Sequence, residues 1–211
     1  MKINIVEKEL NIKLTPEQTE LFEIYTKELL IWNENINLTA IRTEEEILLK
    51  HFADSLTLLP FIPETTKKLV DIGSGAGFPG IPLAIMRSDI EVTLVESVGK
   101  KCKFLEHIKE TLSLSNLEIV NARAEEVGMH TDYKGTYDVA TARAVTRLLD
   151  LTKYALPLLK KDGILLAQKG TKEDPRENEN EIRQLGGKIE SIEKIETENL
   201  KDRVVVKIIK K

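Results

Sequence analysis

Apolar positions in the first sixty residues recur at helical spacing. Leu21, Ile24, Tyr25, Leu29 and Trp32 fall on one face, and Thr15-Pro16-Glu17 ahead of them reads as an N-cap with proline at the first helical position. A second helix is predicted from Thr43. Glu44 to Glu46 occupy its first turn, where the helix dipole favours acids, Ile47, Leu48, Phe52, Leu56 and Leu59 form its apolar face, and Pro60 and Pro63 close it. From Lys68 the pattern changes to short apolar runs alternating with helical stretches, which predicts a parallel sheet covered on both faces. The strands are Leu69 to Ile72, Val92 to Glu96, Glu118 to Val120, Val139 to Thr141 and Ile164 to Gln168. The helices are Gly80 to Met86, Lys100 to Leu112, Thr146 to Leu159 and Glu177 to Leu185. Lys188 to Ile195 and Arg203 to Ile209 read as two late strands, antiparallel to each other. The pattern divides the chain into a helical region, residues 1–64, and an α/β domain, residues 65–211.

Composition narrows the partners. A net charge of -4 with 31% charged residues excludes a uniformly basic nucleic-acid wrapper, so any RNA contact must come from local patches. The single cysteine, Cys102, cannot form an internal disulfide, and three histidines give no zinc-ligand spacing, so a reducing compartment and no metal are expected. The N-terminal stretch alternates charges with aliphatics and never gives a signal-peptide or membrane-span run. A cytoplasmic protein with no membrane contact is expected.

The segment Leu69-Val70-Asp71-Ile72-Gly73-Ser74-Gly75-Ala76-Gly77-Phe78-Pro79-Gly80 is a buried strand running into a glycine loop and then into an apolar helix. Such a loop lets backbone approach a nucleotide-like cofactor closely. Gly75, Gly77 and Gly80 match the dinucleotide fingerprint, so NAD or FAD competes. S-adenosylmethionine is favoured by the D-x-G-x-G-x-G form that starts at Asp71. It is favoured also by Pro79 and Pro82, which remove backbone donors that a pyrophosphate needs. Asp71 could help hold the cofactor's ammonium end through water or the loop. Glu96 ends the second strand about 20 residues beyond the loop, where an acid can accept from both ribose hydroxyls; otherwise it is a solvated strand-end glutamate. Ala122-Arg123-Ala124-Glu125-Glu126 follows the third strand, placed for an adenine edge, or else a helix cap.

Together these residues resemble the ribosomal RNA small subunit methyltransferase G family, also called glucose-inhibited division protein B. The matching segments are Trp32-Asn33, Asn37-Leu38-Thr39, His51-Phe52-Ala53-Asp54-Ser55, Asp71 through Leu83, Glu96-Ser97 with Gly99-Lys100-Lys101, Ala122-Arg123-Ala124-Glu125, Ala142-Arg143-Ala144 and Lys169-Gly170. The resemblance implies methylation of a guanine N7 in 16S rRNA, as naked RNA or in the small subunit. It also implies cofactor contacts at Gly73, Phe78, Ala124, Glu125 and Arg143. Some family members carry aspartate where this chain has Glu96, an exchange that preserves the acceptor. With the readings above, the candidate cofactor contacts are Asp71, Gly73, Gly75, Gly77, Phe78, Glu96, Ser97, Ala124, Glu125 and Arg143.

Guanine N7 carries a lone pair and no proton, so this chemistry needs no general base and no catalytic dyad is expected. Alignment and a polar site for the guanine edge would supply the rate, and arginine is the natural donor to that edge. Arg143, directly after the fourth strand, is the candidate catalytic residue; alternatively it forms a salt bridge to Asp71, Asp138 or Glu125. No N/D-P-P-Y/F motif for exocyclic amines is present, and Cys102 reads as packed rather than nucleophilic. The candidate RNA contacts are Arg42, Lys100, Lys101, Arg123, Arg147 and Lys169, with Lys103, Arg143 and Lys172 in the same cluster, although lysines on helices also serve simply as solvated faces. Trp32, Asn33, Asn37, Lys50 and His51 could line the opposite wall; otherwise Trp32 is a core residue and His51 a capping one. The expected fold is α/β, a Rossmann-like seven-stranded S-adenosylmethionine-dependent methyltransferase with a helical N-terminal extension, acting as a monomer. The rivals are a methyltransferase of this fold acting on another RNA, a protein or a small molecule, a nicotinamide oxidoreductase, and a non-enzymatic RNA-binding module.

Overall fold

The computed structural model describes residues 2–171 and 174–211. Helix α1 (Asn4–Leu10) precedes α2 (Pro16–Ile36). Thr15 caps α2 through a capping box: its hydroxyl accepts from Gln18 N–H at 3.1 Å and the Gln18 side-chain oxygen accepts from Thr15 N–H at 3.0 Å. Thr43 caps α3 (Glu44–Ile47) as expected, but the helix does not run on regularly. It widens into a π-helical turn over Leu48–Ala53, resumes as α4 (Asp54–Leu56), and ends in a 3-10 turn at Leu59–Phe61. Ile47 and Phe52 are both fully buried although five residues apart, the spacing that an i→i+5 turn brings to one side.

Seven strands form one sheet: β1 (Lys68–Ile72), β2 (Glu91–Glu96), β3 (Leu117–Asn121), β4 (Tyr137–Arg143), β5 (Leu159–Gly170), β6 (Gly187–Ile195) and β7 (Arg203–Lys210), in the order β3-β2-β1-β4-β5-β7-β6. β7 runs antiparallel to both neighbours, β5 and β6; the other pairings are parallel. β5 starts at Leu159, earlier than the expected Ile164, because Leu159 pairs with Tyr137 ahead of an irregularity in the β4 register. The connecting helices are α5 (Gly80–Met86), α6 (Gly99–Thr111), α7 (Ala124–Val127), α8 (Leu148–Leu158) and α9 (Glu179–Gln184).

Strand residues alternate between two cores, as a period of two requires. Leu69, Leu94, Val139, Leu166 and Val205 join α2, α5, α6 and the 44–56 helical segment on one face. Val70, Val95, Ala140, Ala167 and Val206 join α8 and the buried Ile182 of α9 on the other. The sheet is thus wound in both directions from β1 and β4, and the gap between their carboxyl ends is where such sheets bind ligands. The N-terminal helices share the first core: Phe22 and Tyr25 of α2 pack on Phe52, and Tyr25 reaches Phe78 with ring centroids 5.5 Å apart. The Tyr25 hydroxyl also donates to the Ala76 carbonyl, tying α2 to the glycine loop. Among the described residues no helix is long and apolar enough to cross a membrane, and no His/Cys/Asp/Glu group could hold a metal.

Candidate functional site

The loop after β1 consumes its own donors. Gly73 and Ser74 N–H donate to the Val95 carbonyl at 2.8 and 3.1 Å, and Gly77 and Phe78 N–H donate to Ser74 O at 2.7 and 2.9 Å. Gly75 N–H goes to the Glu96 carboxylate at 2.8 Å. At the start of α5, Gly80 N–H goes to the Asp71 carboxylate at 3.0 Å and Ile81 N–H to Gly77 O at 2.8 Å, while Pro79 and Pro82 have none to give. Glycine is needed where the chain turns left-handed: Gly77 stands at φ 97°, and a Cβ there would come 2.5 Å from Ile81 Cδ1 and 2.7 Å from the Tyr25 hydroxyl. This loop has backbone shape for a close-lying ligand but no set of free amides for a pyrophosphate.

Asp71 is fully buried and does not line the cavity above the loop. Its oxygens accept from Gly80 N–H and from the Thr141 hydroxyl at 3.2 Å, so it acts on the loop and not on open space. Burial pushes its carboxyl from 3.8 up to about 6, opposed by those hydrogen bonds and by the charge of Arg143. The native state therefore binds this proton more tightly than the unfolded chain, and the associated stability is present below pH 4 and lost as pH rises through 6. Asp71→Asn can keep the Gly80 contact and donate to Thr141, so the variant is expected to escape that loss. Urea titrations from pH 4 to pH 7 should show wild type losing on the order of 3 kcal/mol relative to the variant. Parallel curves would mean that Asp71 does not titrate in this window.

A cavity of about 480 Å³ opens at the carboxyl ends of β1, β4 and β5, within the ~300–1,000 Å³ typical of small-molecule sites. Its lining includes Leu38, Thr39, Lys50, His51 and Asp54 from the N-terminal side, Gly73, Gly75 and Phe78 from the loop, and Lys101, Arg143, Gln168, Lys169 and Arg203 from the sheet side. One carboxylate organises it. Asp54, wholly buried, accepts from Arg143 Nη1 at 2.9 Å and from Arg203 Nε at 3.2 and 3.4 Å. Arg143 Nη1 also donates to the Lys50 carbonyl at 2.8 Å, and Nη2 to His51 Nδ1 at 2.9 Å. The guanidinium carbon lies 5.1 Å from the centre of the Phe78 ring, on which His51 stacks at 4.4 Å. Burial and the neighbouring Arg143 cation hold the His51 imidazole down at about 3, so it is neutral. Both its nitrogens are engaged, since Nε2 meets the Thr39 hydroxyl at 2.8 Å.

The rRNA small subunit methyltransferase G family model matches residues 18–205. This chain belongs to that family. A relative from Desulfitobacterium hafniense (strain Y51), named ribosomal RNA small subunit methyltransferase G, is 48% identical over 185 residues, covering 87% of this chain and 77% of its own. One of the same name from Roseiflexus castenholzii is 44% identical over 201 residues, covering 94% and 86%. The fold is shared with a SAM-dependent methyltransferase from Aquifex aeolicus (TM-score 0.62, 15% identity, 78% of this chain and 93% of that one). It is shared also with a ribosomal protein L11 methylase from Lactobacillus delbrueckii subsp. bulgaricus (TM-score 0.59, 14% identity, 77% and 79%). The chain is thus an S-adenosylmethionine-dependent methyltransferase of the G family. The residues present fit that cofactor: the amides of Gly73, Ser74, Gly75, Gly77, Phe78 and Gly80 are already engaged and closed to a pyrophosphate, and each Glu96 oxygen, while accepting from Gly75 or Val98 N–H, keeps a lone pair for a ribose hydroxyl.

The cavity gathers Lys50, His51, Gly73, Gly75, Phe78, Lys101, Arg143 and Lys169 from the residues that sequence reading singled out. Gly77 lies beneath the loop against Tyr25, and Glu96, Ser97, Ala124 and Glu125 stand at the ends of β2 and β3 outside the cavity. Lys100, Lys103, Arg123 and Arg147 are exposed and line no part of it. Arg42 donates to the Asn33 carbonyl at 2.8 Å and to Asn37 Oδ1 at 3.1 Å, which closes the turn after α2. Trp32 packs on Phe104 and His107 as a core residue, and Lys172 lies outside the described residues. His51 is no cap: it lines the cavity. The expected Arg143 partners are corrected. Asp71 is spent on Gly80 and Thr141, Asp138 on Lys160 and the amides of Lys67 and Lys68, and Glu125 makes no ion pair with Arg143; Asp54, which sequence reading named only within a family-matching segment and not as a partner, takes the arginine. Arg203 was also missed, having read only as the start of a strand.

Proposed function

We propose that the chain methylates N7 of a guanine in 16S rRNA, as free RNA or in the small ribosomal subunit, working as a cytoplasmic monomer in which residues 1–64 wall the site built by 65–211. The observation that carries this reading is a cationic cavity in which, among the described residues, nothing is placed to take a proton. His51 is neutral with both nitrogens occupied, Asp54 is shared by two arginines, and the remaining charged lining is lysine and arginine. An amine or hydroxyl nucleophile would need a base there, whereas guanine N7 attacks with a lone pair it already has.

When bound, S-adenosylmethionine supplies an electrophilic methyl group. Glu96 and Ser97 would hold its ribose, Ala124 and Glu125 its adenine, and Gly73, Phe78 and Arg143 its amino-acid end, with Gly75 and Gly77 giving the loop its close approach and Asp71 acting through that loop. Arg143 has three of its five donors engaged, which leaves Nε–H and one Nη2–H for acceptors beside N7, such as guanine O6, with the N7 lone pair itself kept free to attack. Its fixed position supports alignment as the main source of rate. Lys101 and Lys169 on the cavity wall, with Arg42, Lys100, Arg123 and Arg147 on the exposed surface, would meet RNA phosphates; Lys50 and Arg203 join them at the lip.

The test is transfer of labelled methyl from S-adenosylmethionine to small-subunit RNA and particles, followed by nucleoside analysis. Label in 7-methylguanosine is expected, with Arg143→Lys lowering transfer at least about tenfold because the three fixed contacts cannot be reproduced. Label in another nucleoside would reject the N7 reading.

A further inference from the structure

Arg143 can only donate, and this sets the direction of every hydrogen bond beyond it. Its Nη2–H donates to His51 Nδ1 at 2.9 Å, so the neutral ring carries its proton on Nε2. Nε2–H then donates to Thr39 Oγ1 at 2.8 Å. The same oxygen accepts from Ile41 N–H at 3.2 Å. A hydroxyl oxygen has two acceptor sites and one proton, and both sites are now filled. Among the described residues nothing accepts the Thr39 proton, and Thr39 lines the cavity. Its backbone is fixed as well, through Thr39 N–H to Asn33 Oδ1 at 2.9 Å. The chain starts at the buried Asp54 carboxylate, so it cannot reverse, and it ends on a donor facing the ligand space.

We propose that the Thr39 hydroxyl reads the exocyclic oxygen of the target base and so selects guanine over adenine. The inference rests on the N7-guanine reading and adds its specificity. Both purines carry N7, so N7 alone cannot distinguish them; the neighbouring position can, because guanine presents the O6 acceptor there and adenine an amino donor. A hydroxyl that can only donate accepts the first and meets the second donor-to-donor, which a site built around a hydrogen bond penalises. Asp54, Arg143 and His51 are then positioning residues, and the Asn33 contact keeps Thr39 in register with them.

The experiment compares wild type, Thr39→Val and Thr39→Ser on small-subunit substrate carrying either guanosine or 2-aminopurine at the methylated position, the latter keeping N7 and lacking O6. Thr39→Val is expected to lose about tenfold in kcat/KM on guanosine and nothing further on 2-aminopurine, where wild type has already lost the contact. Thr39→Ser is expected to stay within about threefold of wild type, which separates the hydroxyl from any packing effect. S-adenosylmethionine affinity, measured by calorimetry, stays unchanged in all three. Equal activity of Thr39→Val and wild type on guanosine overturns the proposal, as does an equal Val penalty on both bases. Weakened cofactor affinity in Thr39→Val overturns it too, since the hydroxyl would then serve the cofactor's carboxylate. Wild type that forms no 7-methylguanosine removes the N7 reading and this inference together; wild type that forms it while Val stays unimpaired removes this inference alone.

Discussion

Asp54→Ala is expected to lower the free energy of unfolding by about 3 kcal/mol and to abolish methyl transfer in the fraction that folds. The carboxylate is wholly buried and holds Arg143 and Arg203 together, so its loss leaves two cations facing each other without a counter-charge. Removing one partner of a buried pair costs about 3–5 kcal/mol. The low end applies here because the Arg143 and Arg203 side chains are 14% and 38% exposed, and water screens what the carboxylate no longer does. Urea unfolding with an unchanged slope checks the value, and a loss below about 1 kcal/mol would mean that the arginines are held by other contacts. Activity goes with the carboxylate because Arg143, His51 and Thr39 take their orientation from it in sequence.

Gly75→Asp tests the loop and is expected to weaken S-adenosylmethionine binding at least about a hundredfold while leaving the fold intact. A Cβ at this position meets nothing nearer than the Gly73 carbonyl at 4.0 Å, so the side chain is accommodated, and aspartate tolerates a φ of 61° better than most residues. The new carboxylate enters the cavity lining beside Glu96, whose Oε2 lies 2.8 Å from this residue's nitrogen. Two acids then compete for the space and the charge that a cofactor needs. Calorimetric titration reads the affinity and thermal unfolding the fold; unchanged binding would move the cofactor away from this loop.

The parts that were legible in the sequence are those whose causes are local. Thr15 and Gln18, three residues apart, make their own cap, and the strand from Leu69 feeds a glycine loop whose form and prolines already argue against pyrophosphate. The antiparallel pair at the end was legible from two adjacent apolar runs. What stayed hidden acts across the chain. Asp54 lies 89 residues from Arg143 and 149 from Arg203, and no spacing rule links them. Arg143 was found because it follows a strand at the site's edge, but its partner was sought among acids near other strand ends. The π turn was invisible for another reason: Ile47, Leu48, Phe52 and Leu56 satisfy a helical pattern well enough that one widened turn changes no expected apolar position, yet that turn carries Lys50 and His51. Helix α1 was covered only by the general reading of residues 1–64 as helical, with no bounds of its own, because among the described residues of that stretch only Ile3 and Val6 become buried.

The engagement of all but one of the glycine loop's amides, Ala76 excepted, matters in a mixture of metabolites. Adenosine is a part that S-adenosylmethionine shares with nucleotides and dinucleotide coenzymes, so an adenosine pocket alone cannot refuse them. Refusal comes from the other end: a di- or triphosphate laid over Gly73 to Gly80 would surrender its hydration to amides already committed to Val95, Ser74, Glu96, Asp71 and Gly77, and would meet the charge of Glu96 as well. With the cofactor over this loop as proposed, phosphate-bearing competitors are left short of partners, a selectivity that costs the site no contact of its own.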